Sequence, residues 1–208
     1  EAETEPRREL ADASNLLSLM VLASALEKSG CKTLMSHCGS EMMLMKAAGA
    51  SDCASGKFFN LRRFTRSRFD EEEEGGGGQL AYWFEHGLMA FLREADIARL
   101  RKRGLGDFIG VGESNNTFAN QILELFANQP GKPWLALSWR QYLAWFAAVE
   151  KRLSEPGSDA LLSSWLRAAE KRWEQMEDAE VLLEERRNDG RWLRSWRQAL
   201  SDFRQLGI

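Results

Sequence analysis

Hydrophobic positions recur mostly every three or four residues along the chain, which is the spacing of helices with one buried face. Over residues 7–28, Leu16, Met20 and Ala23 share a face, Pro6 suits an opening turn, and Gly30 can take a left-handed closing position; a first helix is expected there. A shorter helix is expected over 41–48, with Ser40 as its cap and Gly49 as its stop. Leu80, Phe84, Leu88, Phe91 and Ala95 predict a third over 79–103, whose basic end (Arg99, Arg101, Lys102, Arg103) suits the negative pole of the helix dipole, with Gly104 ending it. Asn115 or Asn116 can cap a helix reaching 128 that turns Phe118, Ile122, Leu125 and Phe126 inward, closed by Pro130 and Pro133.

Ser138 to Gln141 has the S-x-x-Q form of a capping box, with Leu137 and Tyr142 placed as a hydrophobic staple, so a helix is expected to start at Trp139 and run to Leu153. Pro156 and Gly157 break it, and Leu162, Leu166, Ala169, Trp173, Met176 and Leu183 mark a long helix. Asn188-Asp189-Gly190 turns the chain, and Trp192, Trp196, Ala199 and Phe203 set the last one. The short loops between these last three helices predict antiparallel neighbours.

Val, Ile and Thr number only four each in 208 residues, whereas Leu, Ala, Glu, Arg and Trp are plentiful, so the composition argues against sheets and for an all-α chain. Six of the seven Met and all three Cys precede residue 90, while seven of the eight Trp follow residue 130. The expected organisation is N-terminal Met-rich helices (1–56), an irregular strap (57–78), central helices (79–130) and a Trp-rich three-helix unit (131–208). The formal charge of −3 gives no global field toward nucleic acid or anionic lipid, so any such contact must be local. The longest apolar run near the N-terminus, 16–26, falls short of the roughly 20 residues a bilayer-crossing helix needs. An odd number of cysteines argues against a secreted disulfide framework and for an intracellular, reducing compartment. A start at Glu1 fits cytoplasm, or an organelle matrix after removal of a transit peptide.

Candidate chemistry is sparse. The stretch SDCASGK (51–57) ends like a phosphate-binding loop but has Ser51 where Gly is needed and Phe58 where Ser or Thr is needed. GLGDFIGVG (104–112) lacks both the spacing and the preceding strand of a kinase glycine loop and reads as a connection. Cys31, His37, Cys38 and Cys53 carry ligand chemistry for zinc without a recognised spacing, and no metal or other cofactor is expected. Glu85 and His86, read as neighbours on a helix, would point about 100° apart and be poor cooperators at one reaction centre, so structural or surface roles are expected for both. The acidic positions Glu174, Glu177, Asp178, Glu180, Glu184 and Glu185 interleave with Arg167, Lys171, Arg172, Arg186 and Arg187, as on a solvated face. No catalytic residue is assigned.

The strap is the unusual feature. Lys57, Arg62, Arg63, Arg66 and Arg68 are cancelled by Asp70 and Glu71 to Glu74, an arrangement ill suited to a nucleic-acid arm because the acidic run competes for the same cations. Phe58, Phe59, Leu61, Phe64 and Phe69 are costly to leave in water, which argues against a plain linker. The expectation is a non-catalytic accessory or scaffold subunit that contacts other protein subunits through Phe58, Phe59, Arg62, Arg63, Phe64, Arg66, Arg68 and Phe69, and through Trp192, Arg194, Trp196 and Arg197 of the last helix. The alternative is a nucleic-acid-associated helical protein in which 58–69 stacks on bases and pairs with phosphates.

Overall fold

A computed structural model of the chain describes residues 10–56, 80–184 and 189–207. Among these residues seven α-helices and two short ladders occur, so the chain is mainly α-helical. The helices are α1 (Ala13–Lys28), α2 (Met42–Ala47), α3 (Glu94–Lys102), α4 (Thr117–Asn128), α5 (Leu135–Leu153), α6 (Ser158–Asp178) and α7 (Trp192–Gln205). The strands are β1 (Leu34–Met35), parallel to β2 (Asp52–Cys53), and β3 (Trp83–Glu85), antiparallel to β4 (Ala90–Leu92).

α1 begins at Ala13, where the Asp12 carboxylate accepts the Asn15 N–H at 2.9 Å; the expected opening turn at Pro6 lies outside the described residues. Its stripe Leu16, Met20, Ala23 is buried as its spacing predicts, and it packs on α7, where the Trp196 indole N–H donates to the Leu10 carbonyl at 2.7 Å. α2 lies in the core with Met42, Met43, Leu44 and Met45 all buried, and its buried Lys46 donates to the Ser51 carbonyl at 2.7 Å. Its cap position is Glu41, one residue after the expected Ser40.

Residues 79–103 do not form one helix. Tyr82 to Ala90 are all buried, so this run has no polar face by which a helix and a strand could be told apart, and the consecutive aromatic rings of Tyr82, Trp83 and Phe84 favour extended backbone. The chain reverses over His86–Met89, with Met89 left-handed at φ 52°, and β4 returns. α3 then starts at Glu94 because the Asp96 carboxylate reaches back to the Arg93 N–H at 2.9 Å.

The outer edge of this hairpin explains a second departure. α5 begins at Leu135, runs through residue 138, and uses neither Ser138 nor Gln141 as a cap. Instead the Ser138 hydroxyl accepts the Tyr82 N–H at 2.8 Å and donates to the Tyr82 carbonyl at 2.6 Å. The Gln141 amide accepts the Phe84 N–H at 3.1 Å and donates to the Phe84 carbonyl at 2.9 Å and the Ser114 carbonyl at 3.3 Å. Two side chains one helical turn apart thus stand in for a neighbouring strand along β3.

The remaining helices follow their periodicity closely. Asn116 caps α4 by accepting the Phe118 and Ala119 N–H groups, and Trp192, Trp196, Ala199 and Phe203 of α7 are buried. α6 ends at Asp178, earlier than expected, and Glu180 turns the chain at φ 53°. The segment beyond it is tied to α3 through Asp96, which accepts the Glu184 N–H at 2.8 Å and pairs with Arg99 at 3.0 Å.

Candidate functional site

The most exposed apolar surface on a long helix belongs to α1. From Ala13 to Leu26 this helix carries no charged residue, and its outer positions are Ser14, Asn15, Ser18, Leu22, Ala25 and Leu26. Leu22 is 54% and Leu26 39% exposed. Just beyond Leu26, Glu27 accepts the Thr33 N–H at 2.7 Å, which brings β1 and the 64% exposed Leu34 alongside. Three donations to Glu27, from the Ser51 N–H and the Thr33 hydroxyl and N–H, hold its carboxyl well below the usual range and fix this corner.

Of the residues expected to touch partners, Phe58, Phe59, Arg62, Arg63, Phe64, Arg66, Arg68 and Phe69 lie outside the described residues. Trp192 and Trp196 do not face outward: both are buried, because the same spacing that makes a Trp stripe also makes the inner face of an amphipathic helix. Arg194 and Arg197 do face solvent, with Arg197 ion-paired to Glu170 of α6.

Glu85 and His86 are brought together with other polar groups that the sequence did not connect. The Glu85 carboxylate accepts four N–H groups: the Trp83 indole (3.0 Å), Gly87 (2.9 Å), Gly110 (2.7 Å) and Val111 (3.1 Å). The loop of residues 104–112 therefore wraps an anion, and that anion is the protein's own carboxylate. Burial pushes Glu85 up to about 7 against the pull of these donors. His86 accepts the Trp145 indole N–H at its Nδ1 (3.0 Å), and burial, then the charges of Arg172 and Arg152, push it down to about 4. With four donors around its two oxygens, Glu85 is occupied in anchoring the loop.

Among the described residues no three His, Cys, Asp or Glu side chains are grouped as ligands for a metal ion. His37 is exposed with a left-handed backbone (φ 61°), Cys31 is exposed, and Cys38 and Cys53 are buried beside one another. No helix among the described residues is long and apolar enough to cross a membrane. No family model, curated protein or solved structure matches the chain.

The α1 face could have been found in the sequence. Charge is absent over fourteen consecutive positions in a chain that is 28% charged, but a search for the inner stripe alone passes over it.

Proposed function

We propose that the protein is a helical accessory subunit whose task is contact with other proteins, and that the outer face of α1 is one such contact. The observation that carries this reading is the uncharged exterior of a surface helix. An exposed helix ordinarily sets charged side chains against water, yet here the outward positions are Leu22, Leu26, Ala25 and serines. Such a face has no cation for phosphate and no carboxylate for a basic ligand. It gains only by apolar burial, so its occupant is an apolar surface of a partner protein. Covering the exposed parts of Leu22 and Leu26 contributes on the order of 3 kcal/mol before the costs of association. The aromatic and basic residues of 58–69 supply a second contact in the same reading, supported by side chains that need cover and by a positive charge that the acidic run 70–74 cancels together with that of Lys57.

The test is the double variant Leu22→Glu with Leu26→Glu. Both positions are exposed, so helical content and thermal midpoint should stay near wild type. A partner that copurifies in fixed ratio with the wild-type chain at native expression should be lost from the variant. Hydroxyl-radical footprinting should show Leu22 and Leu26 shielded in the complex and reactive in the free chain. A partner retained by the variant with an unchanged footprint would defeat the reading. Self-association of the purified chain through these leucines, seen by light scattering, would replace the partner with a second copy.

A further inference from the structure

The sequence places Cys38 and Cys53 fifteen positions apart with no motif joining them, and the fold sets them side by side. Met35 pairs with Cys53 across the β1–β2 ladder. The Met35 carbonyl accepts the Ala54 N–H at 2.8 Å and the Cys38 thiol at 3.2 Å, while the Cys38 N–H donates to the Ala54 carbonyl at 2.9 Å. These bonds fold the loop of residues 36–39 back over the ladder and set Cys38 beside Cys53. Two anchors fix the outer walls of the pair: Glu150 of α5 accepts the Cys53 N–H at 2.5 Å, and Ser55 donates to the Cys38 carbonyl at 2.6 Å. Both residues are nearly covered, at 6% and 7% exposed, while their chain neighbours Ser36, His37 and Ala54 are exposed.

We propose that Cys38 and Cys53 form a redox modification site, a dithiol that an uncharged hydroperoxide converts to an intramolecular disulfide. In the first step one thiol gives up its proton and its sulfur attacks the peroxide; an S–O bond forms, the O–O bond breaks, and the leaving oxygen takes the proton to depart as an alcohol. In the second step the other thiol attacks the sulfenic sulfur; the S–S bond forms, the S–O bond breaks, and hydroxide leaves with the second thiol's proton as water. Two electrons pass from the sulfur pair to the peroxide, and each hydroperoxide consumes two thiols. The oxidant class follows from the surroundings: the Glu41 and Glu150 carboxylates beside the pair disfavour approach of an anionic disulfide. Contact with Cys53, burial and the Glu41 charge also push the Cys38 thiol up, so the pair is a slow responder and not a fast catalytic couple. Closure would bind the two ends of a segment whose middle is α2, a helix buried in the core.

The test uses the purified full chain, tert-butyl hydroperoxide and alkylation of the remaining thiols after unfolding. The expected product is a monomer lighter by two hydrogen atoms that takes one alkyl group, at Cys31, and three after dithiothreitol. Peptide mapping should join Cys38 to Cys53, Cys31→Ser should leave that link intact, and the urea midpoint should rise on oxidation. A link through Cys31, a link between chains, over-oxidation with no link, or three alkyl groups after exposure that oxidises methionine would each overturn the proposal. A fall in the urea midpoint would show that the native geometry does not accommodate the bond, and would overturn it too. The oxidation is followed in the wild-type chain, so the result stands even where Cys38→Ser or Cys53→Ser misfolds.

Discussion

Gln141 tests whether α5 side chains replace a strand or merely cap a helix. Both readings assign the residue a hydrogen-bonding role, but they differ in what a change costs. In the structure, Gln141 is fully buried, and its amide serves the Phe84 N–H, the Phe84 carbonyl and the Ser114 carbonyl. Gln141→Leu keeps the volume and removes all three bonds. The Phe84 carbonyl keeps the Ser114 hydroxyl at 2.8 Å and the Ser114 carbonyl keeps the Asn116 N–H at 3.1 Å, so the buried Phe84 N–H is the one group that loses its partner. At roughly 1–3 kcal/mol for a stranded buried group, the expected loss is about 1–3 kcal/mol, a sizeable part of the roughly 5–15 kcal/mol that holds a domain together. A residue at the third position of a capping box would cost no more than about 1 kcal/mol.

Gln141→Glu separates the readings further, because a capping box accepts Glu as readily as Gln. Along β3, a carboxylate would still accept the Phe84 N–H but would face the Phe84 and Ser114 carbonyls with no proton to offer. That variant should be destabilised at neutral pH and should recover part of the loss on acidification, when the new acid can donate. The assay is urea unfolding at two pH values, together with amide exchange at Phe84, which should quicken in both variants. A loss under about 1 kcal/mol for Gln141→Leu, or a neutral Gln141→Glu, would refute the edge argument.

Two further predictions follow from the same hairpin and its neighbours. Glu85 sits above its unfolded value, so it contributes stability below about pH 4.5 that is lost as pH rises through about 7; relative to Glu85→Gln, wild type should gain about 3 kcal/mol between pH 7 and pH 4.5, as read from denaturation at each pH, and an unchanged difference would refute the assignment. His86 has the opposite sign, since its depressed value gives stability present above about 6.5 and lost as pH falls through about 4, so removing the Glu85 carboxyl should leave the variant more acid-sensitive than wild type. Gly190→Ala should cost about 2–4 kcal/mol, because its backbone is left-handed at φ 74° and a Cβ there would lie 2.6 Å from the Trp173 ring; a thermal midpoint within a degree or so of wild type would show that the ring yields freely.

The helices that the sequence made legible are those with one wet face. α4, α5, α6 and α7 alternate buried and solvated positions at helical period, and their inner stripes fall where the spacing puts them. The run from Tyr82 to Ala90 was not legible, because burial on every side erases the period that distinguishes a strand from a helix. The two-residue ladder of β1 and β2 is too short for any period and is held by bonds from distant residues, such as Glu150 to Cys53. Ser138 and Gln141 show the limit of local motifs: their spacing is right for a cap, but the N–H groups they satisfy belong to a hairpin more than fifty residues earlier.

Polar residues in this protein serve largely to close backbone that its small strands leave open. Ser114, Ser138 and Gln141 finish β3, Glu85 gathers the loop of residues 104–112, Glu27 gathers Thr33 and Ser51, and Glu150 holds Cys53. The most tempting acid in the chain, Glu85, is engaged by the Trp83 indole and by the backbone N–H groups of Gly87, Gly110 and Val111. The apolar side chains left outward among the described residues include Leu22, Leu26 and Leu34 near one corner of the molecule, besides Leu80, Leu182 and Leu206. The Glu27 corner that positions Leu34 beside α1 also anchors Ser51, which precedes β2 and Cys53. A partner seated on α1 and an oxidant reaching the dithiol would therefore act on two sides of one small, rigidly bonded element. Disulfide formation in the free chain and in the α1-bound complex should differ in rate if that element transmits strain, and should match if it does not.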